Sequence, residues 1–150
     1  MTLDVGFIAS SAFAAADGHL SALGIGSDTF YSQPLADKPA GPASVSPGAV
    51  GSPISFSVVT RFAASRAEIG VQYRITIRIA NGSDASVATG QISLTVPAAR
   101  SDVPDSWGIP INVVVPLSFA PSSFGEYRVH IILASQSVKS MAFRVVPLAA

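Results

Sequence analysis

The sequence predicts an all-β chain folded as a single-domain antiparallel β-sandwich of about eight strands spanning residues 1–150. Three observations predict it. Residues 71–96 read VQYRITIRIANGSDASVATGQISLTV, and Tyr73, Ile75, Ile77 and Ile79 alternate there with Arg74, Thr76 and Arg78. A period of two over β-branched residues marks a strand with one buried face. Runs of the same kind recur along the chain, separated by clusters of Gly, Pro, Asn, Asp and Ser. A hairpin with one apolar face is not stable alone and needs a second layer. A closed barrel is the alternative way to provide that layer.

The elements follow in order. Residues 3–13 form the first strand, with Leu3, Val5, Phe7 and Ala9 on one face. Asp17-Gly18 is a hairpin signal, and residues 19–31 are the return strand, interrupted by Gly24 and Gly26. Those interruptions predict a bend or bulge, as in an edge that crosses from one sheet to the other. Residues 33–53 hold five prolines and three glycines. No central strand can run through them, and the preceding 32 residues are too few for a domain. Residues 54–62 are a third strand with Ile54, Phe56, Val58, Thr60 and Phe62 on one side, and residues 64–69 have room for one helical turn.

The hairpin of residues 71–80 and 92–96 comes next, with Asn81-Gly82 supplying the residues that tolerate positive φ. Residues 97–108 are an irregular loop with the chain's one tryptophan. Residues 110–119 are a strand with Ile111, Val113, Val115, Leu117 and Phe119 inward, and Pro116 predicts a sheet edge or a bulge there. Residues 126–134 turn Tyr127, Val129, Ile131 and Leu133 inward; residues 140–146 do the same with Met141, Phe143 and Val145. Phe62 leads to Gly70-Val-Gln-Tyr73-Arg-Ile and Phe119 to Gly125-Glu-Tyr127-Arg-Val, an echo that reads as two similar turn solutions.

Composition narrows the function classes. Charged residues make up 12% of the chain and the formal net charge is zero. No bulk field draws nucleic acid or an acidic membrane, and low charge favours self-association. There is no cysteine, so neither a disulfide scaffold nor a thiolate metal site exists. No apolar run approaches the ~20 residues of a membrane helix. The first eighteen residues lack the basic start of a signal peptide, with Asp4 in its place, and read as strand. A cytoplasmic setting is expected.

No reactive constellation is legible. There is no Gly-x-Ser-x-Gly elbow, and Gly24-Ile25-Gly26-Ser27-Asp28 has the residue types in another order. His19 follows a hairpin turn and His130 lies on the outward face of a strand, so a Ser-His-Asp set is not expected. Asp102 and Asp105 flank Val103-Pro104 in one loop; they read as turn formers rather than as a glycosidase pair or a calcium loop. Asn81-Gly82-Ser83 matches a glycosylation acceptor but reads as a turn. The expectation is a chain without catalytic residues, cofactor or metal.

Binding residues are more promising. Trp107, between Pro104 and Pro110, is placed to stack on a sugar or anchor a protein contact, or else to close the end of the sandwich. Phe30 and Tyr31, at the head of the Pro-rich loop, carry the same two readings. Arg61, Arg74, Arg78 and Arg128 point outward, and Arg61, Arg74 and Arg78 share a sheet face if residues 54–62 and 71–80 are neighbours, where they can grip anionic groups on a partner.

Asp17-Gly18-His19-Leu20, then Leu23-Gly24-Ile25-Gly26-Ser27-Asp28, a strand at residues 55–62, and the closing Phe124-Gly125-Glu126-Tyr127-Arg128-Val129 form one pattern. In it the chain resembles a family of small uncharacterised bacterial proteins with an immunoglobulin-like β-sandwich. The resemblance covers nearly the whole chain and implies the fold and a cytosolic setting, with no catalytic residues. The functional expectation is a non-enzymatic interaction module, binding a protein partner or itself through loops and a sheet edge. The alternatives are a structural subunit of a larger assembly, such as a virion decoration or sheath protein, and a carbohydrate-binding module using Trp107.

Overall fold

Among the described residues, ten strands form where the alternation runs. They are β1 (Thr2–Ala9), β2 (Ser11–Ala14), β3 (Leu20–Leu23), β4 (Thr29–Ser32), β5 (Ile54–Ala64), β6 (Gln72–Asn81), β7 (Ser86–Thr95), β8 (Ile109–Phe119), β9 (Gly125–Leu133) and β10 (Gln136–Pro147). The computed structural model describes residues 1–15, 20–35, 48–101, 104 and 106–149. Asp17, Gly18, His19, Asp102 and Asp105 lie outside the described residues, as do residues 36–47 of the Pro-rich loop.

Two sheets face each other. One has the order β1-β5-β8 and the other β4-β10-β9-β6-β7; β2 and β3 pair as a separate hairpin. Ile54, Phe56, Val58 and Phe62 from β5, with Val115 and Phe119 from β8, meet Ile75, Ile77 and Ile79 from β6, Tyr127, Val129, Ile131 and Leu133 from β9, and Phe143 and Val145 from β10. Period two therefore does on each strand what the sequence predicts: one face fills the space between the layers. Phe56, Phe119, Tyr127 and Phe143 form an aromatic group in that space, with centroids 5.3 Å apart for Phe119–Tyr127 and 5.6 Å for Tyr127–Phe143.

Strand order defines the architecture. In immunoglobulin lettering, β1, β5 and β8 stand where A, B and E stand, and β10, β9, β6 and β7 where G, F, C and C′ stand. Tyr127, near the start of β9, donates its hydroxyl to the Ser123 carbonyl at 2.7 Å and accepts from the Ser123 N–H at 3.2 Å. This is the tyrosine corner of immunoglobulin-like sandwiches. Val129, two residues on, is fully buried where antibody domains carry a cysteine.

Several expectations are corrected. Residues 3–13 divide into β1 and β2, and a bulge between Leu3 and Val5 breaks the register of β1 on β5. A bulge adds one residue and exchanges the faces beyond it. Leu3 and Ile8 therefore reach the core, while Val5 is 45% exposed. The expected return strand is two strands: β3 ends at Leu23, the chain turns at Gly24 and Gly26, and β4 joins the five-stranded sheet. The crossing between sheets is as expected, but β4 runs parallel to β10, so the sandwich is not wholly antiparallel.

The central hairpin turns by another device than positive φ at Asn81-Gly82. Asn81 Oδ1 accepts from the Ser83 N–H at 3.1 Å, the Ser83 hydroxyl at 2.8 Å and the Ala85 N–H at 3.0 Å, and the positive φ, 62°, falls on Asp84. β7 accordingly begins at Ser86, six residues before the predicted strand. Residues 64–69 hold one 3-10 turn, Arg66–Glu68. Pro116 does mark an edge, because β8 pairs with β5 alone among the described strands.

Candidate interaction surface

The arginines do not converge as predicted. β5 and β6 belong to different sheets. Arg61 therefore lies on the outer face of the three-stranded sheet, paired in register with Val5 and Asn112, while Arg74 and Arg78 lie on the outer face of the other sheet. No single arginine face exists across β5 and β6.

Arg78 is instead part of a small charged group. Its Nη2 is 3.0 Å from Asp84 Oδ1, and His130 Nε2 is 3.6 Å from the same oxygen. Arg78 and His130 are direct neighbours between β6 and β9, and the turn that lifts Asp84 over them is the one tied by Asn81. At 3.6 Å the His130 contact is longer than a hydrogen bond, and Nε2 is buried without a hydrogen-bond partner. Arg74 opens on a shallow depression of about 500 Å³ walled by Gln72, Thr76, Gln91, Ser93 and Ser135. These are amide and hydroxyl groups on a flat sheet face.

A second polar node joins the two layers. The Glu68 carboxylate accepts from the Ser65 N–H at 2.7 Å, the Ser65 hydroxyl at 3.0 Å, the Tyr73 hydroxyl and the Met1 α-ammonium. These donors hold its pKa down to about 2, the ammonium first, then the Tyr73 hydroxyl. The Tyr73 phenol is pushed up, chiefly by the hydrogen bond it gives Glu68. Beside this node Trp107 is 65% exposed and, with Met1, Ser65, Arg66, Glu68 and Ser106, walls a depression of about 340 Å³. The tryptophan is therefore not a plug in the core.

The other two aromatic candidates part company. Phe30 packs inward, 5.2 Å from Phe56 and 5.6 Å from Phe143 by ring centroids, so its ring serves the core. Tyr31, the next residue on β4, points outward and is exposed. Sequence reasoning missed the β2–β3 hairpin as a surface. Phe13 is 61% exposed and Leu23 74%, on the same face of the hairpin because Phe13 pairs with Ser21 and Ser11 with Leu23; Ile25 is also exposed. The available signal was two large apolar side chains, Phe13 and Leu23, on one short hairpin, with a third, Ile25, in the glycine turn that follows it.

The four edges of the two packed sheets differ. β4 is four residues long. β1 carries a bulge and the exposed Asp4. β8 carries Pro110 and Pro116. These are the ways natural sheets block pairing with another chain. β7 is ten residues long and contains neither a charged residue nor a proline. Among the described residues, no three His, Cys, Asp or Glu side chains gather as a metal site, and no helix is long and apolar enough to cross a membrane.

Neither a protein-family model nor a curated protein matches the chain. Two solved structures of a glycosyl hydrolase family 2 member from Bacteroides cellulosilyticus are similar to it, each with a TM-score of 0.41 and 13% identity over 65% of this chain. The matched part is 13% of one of those chains and 12% of the other. The fold assignment rests on the strand order and the tyrosine corner described above.

Proposed function

We propose that this chain is a non-enzymatic interaction module that holds a protein partner, or a second copy of itself, through a sheet edge and exposed apolar loops. The observation that carries the reading is the concentration of large apolar side chains at the surface of the β2–β3 hairpin, where Phe13 and Leu23 share one exposed face. A surface this poor in charge has little else to keep such side chains from contact. The described titratable groups support the non-enzymatic side of the reading: Arg78, Asp84 and His130 are turned on one another, and Glu68 is saturated with donors. A cytoplasmic setting, independence from nucleic acid and membrane, and kinship with the bacterial immunoglobulin-like family belong to the same proposal; a structural subunit of a larger assembly is its extended form.

The test compares the parent chain with Phe13→Ser/Leu23→Ser in affinity capture from the native host and in solution mass. The expected outcome is a partner held by the parent and lost in the variant, with thermal unfolding little changed because both side chains are exposed. A parent that is monomeric and captures nothing contradicts the reading.

One observation favours a second reading. Trp107 stands exposed on the wall of a depression that mixes apolar Met1, Ala63 and Ala64 with polar Ser65, Glu68 and Ser106, and an exposed indole beside hydroxyl and carboxylate groups can stack on a sugar ring. Carbohydrate binding by this route predicts a glycan-array signal in the parent that disappears in Trp107→Ala; an array without signal ends it.

A further inference from the structure

We propose that β7 is the contact surface for a second copy of this chain, paired antiparallel with its own equivalent across a two-fold axis at Gln91. This deepens the reading above and rests on it for the claim that the chain associates through a sheet edge.

The first argument is exclusion. Each of the other three edges of the two packed sheets carries a blocking device: brevity in β4, a bulge with an exposed acid in β1, two prolines in β8; the β2 and β3 edges are as short as β4. β7 has its irregularity only at the start, where the register shifts between Ile79 and Ala80 of β6 and Val87 is passed over. From Ala88 to Thr95 it pairs regularly with β6, residue for residue, and β6 is its one partner among the described strands.

The second argument is unfinished burial. Ala88, Ile92 and Leu94 face the core but remain half-buried, whereas Ile79 and Ile75, directly opposite Ala88 and Ile92 on β6, are fully buried. The difference is position: β6 has a strand on both sides and β7 on one. A strand added outside β7 covers the remaining apolar surface, and its side chains extend the inner layer because directly opposed residues share a face.

The third argument is self-complementarity, which selects a second copy over an unrelated strand. An axis through Gln91 sets Ala88 opposite Leu94 of the second copy and Gly90 opposite Ile92, so each small inward residue meets a large one. Gly90 is already closed upon from the other layer by Leu117 and Val115, which leaves lateral room beside it and not above it. On the outer face Thr89 meets Ser93 of the second copy and Gln91 meets Gln91, hydroxyl on hydroxyl and amide on amide. An antiparallel strand of mixed charge opposed to itself risks like charges in register; β7 has none.

The experiment uses charge reversal and site-specific cross-linking on the full chain. Gln91 is exposed on the outer face of an edge strand, so Gln91→Lys and Gln91→Glu are expected to fold. Sedimentation of the parent over a concentration range is expected to show a monomer–dimer equilibrium. Either single variant weakens the dimer by roughly fivefold or more, because two like charges lie directly opposite, and an equimolar mixture of the two restores it. The chain has no cysteine, so Gln91→Cys with a short thiol-specific cross-linker reports one position; it is expected to link far faster than Ser118→Cys at an exposed position of edge strand β8. A dimer indifferent to charge at Gln91, or equal linking at both positions, overturns the β7 assignment while leaving the interaction module standing. A parent that stays monomeric at every concentration also overturns it, and the module reading then depends on the partner captured through Phe13 and Leu23.

Discussion

Two corners of the sandwich are built on one local pattern and stabilised by different chemistry. At each, a strand carries a buried Phe at or near its end (Phe62, Phe119), the chain turns, a glycine takes positive φ (80° at Gly70, 137° at Gly125), and a tyrosine stands near the start of the next strand. Each tyrosine sends its hydroxyl back to the turn just passed. Tyr127 reaches the backbone of Ser123, four residues upstream; Tyr73 reaches the carboxylate of Glu68, five upstream. One corner is thus tied to a group that never ionises, and the other to a group that does. The same local pattern yields a pH-independent tie and a pH-dependent one, according to whether the turn offers a carbonyl or an acid.

The largest effect is expected at the buried corner. Tyr127→Ala removes a fully buried ring from the aromatic group around Phe119 and Phe143 and should cost about 3–5 kcal/mol. Tyr127→Phe keeps the ring but leaves the Ser123 backbone without its partner, for about 1–3 kcal/mol at any pH from 5 to 8. Denaturant titration checks both. Next come the glycines. A Cβ at Gly70 or Gly125 meets nothing within 4 Å, so each Gly→Ala change isolates the backbone cost of positive φ. Gly70, at 80°, lies near the left-handed region and should cost about 1–2 kcal/mol; Gly125, at 137°, lies beyond it and should cost more. Equal losses at the two sites would contradict that order.

The subtlest difference is in acid. Glu68 has a folded pKa of about 2 against an ordinary 4.5, so the unfolded chain binds the proton first. Its contribution is fully present above pH 4.5 and is lost as the pH falls toward 2. Denaturant midpoints followed across that window should decline in the parent and decline less in Glu68→Gln. Tyr73→Phe removes one of the donors and should move the acid limb to higher pH, whereas Tyr127→Phe should leave its position unchanged. Equal acid limbs in all three variants would contradict the assigned difference.

Much of this architecture was legible because it is local. Alternation in residues 71–80, 110–119 and 126–134 names the buried side chains, and Pro116 announces an edge. What was hidden depends on partners far away in the chain. Leu3, Val5, Phe7 and Ala9 alternate without fault, yet a bulge against β5 turns Val5 outward, and nothing in the eight residues signals it. Arg61 parted from Arg74 and Arg78 because strand pairing is decided by the whole topology, with the crossover to the other sheet between them. Phe30 and Tyr31 are adjacent, so one had to face the core; which one was set by the parallel register on β10. The tyrosine corner was present in the spacing of Gly125, Tyr127 and Val129 but was read as a turn echo. The open edge was missed for another reason: freedom from charge and proline in β7 gains meaning only once β7 is known to lie at an edge.

The claim that the open edge carries the association is tested most directly by amide hydrogen exchange over a range of protein concentrations. Protection of amides within Ala88–Thr95 should rise with concentration, while β1, β4 and β8 exchange at constant rates. Exchange in Ala88–Thr95 that is the same at every concentration at which the chain associates would contradict the account.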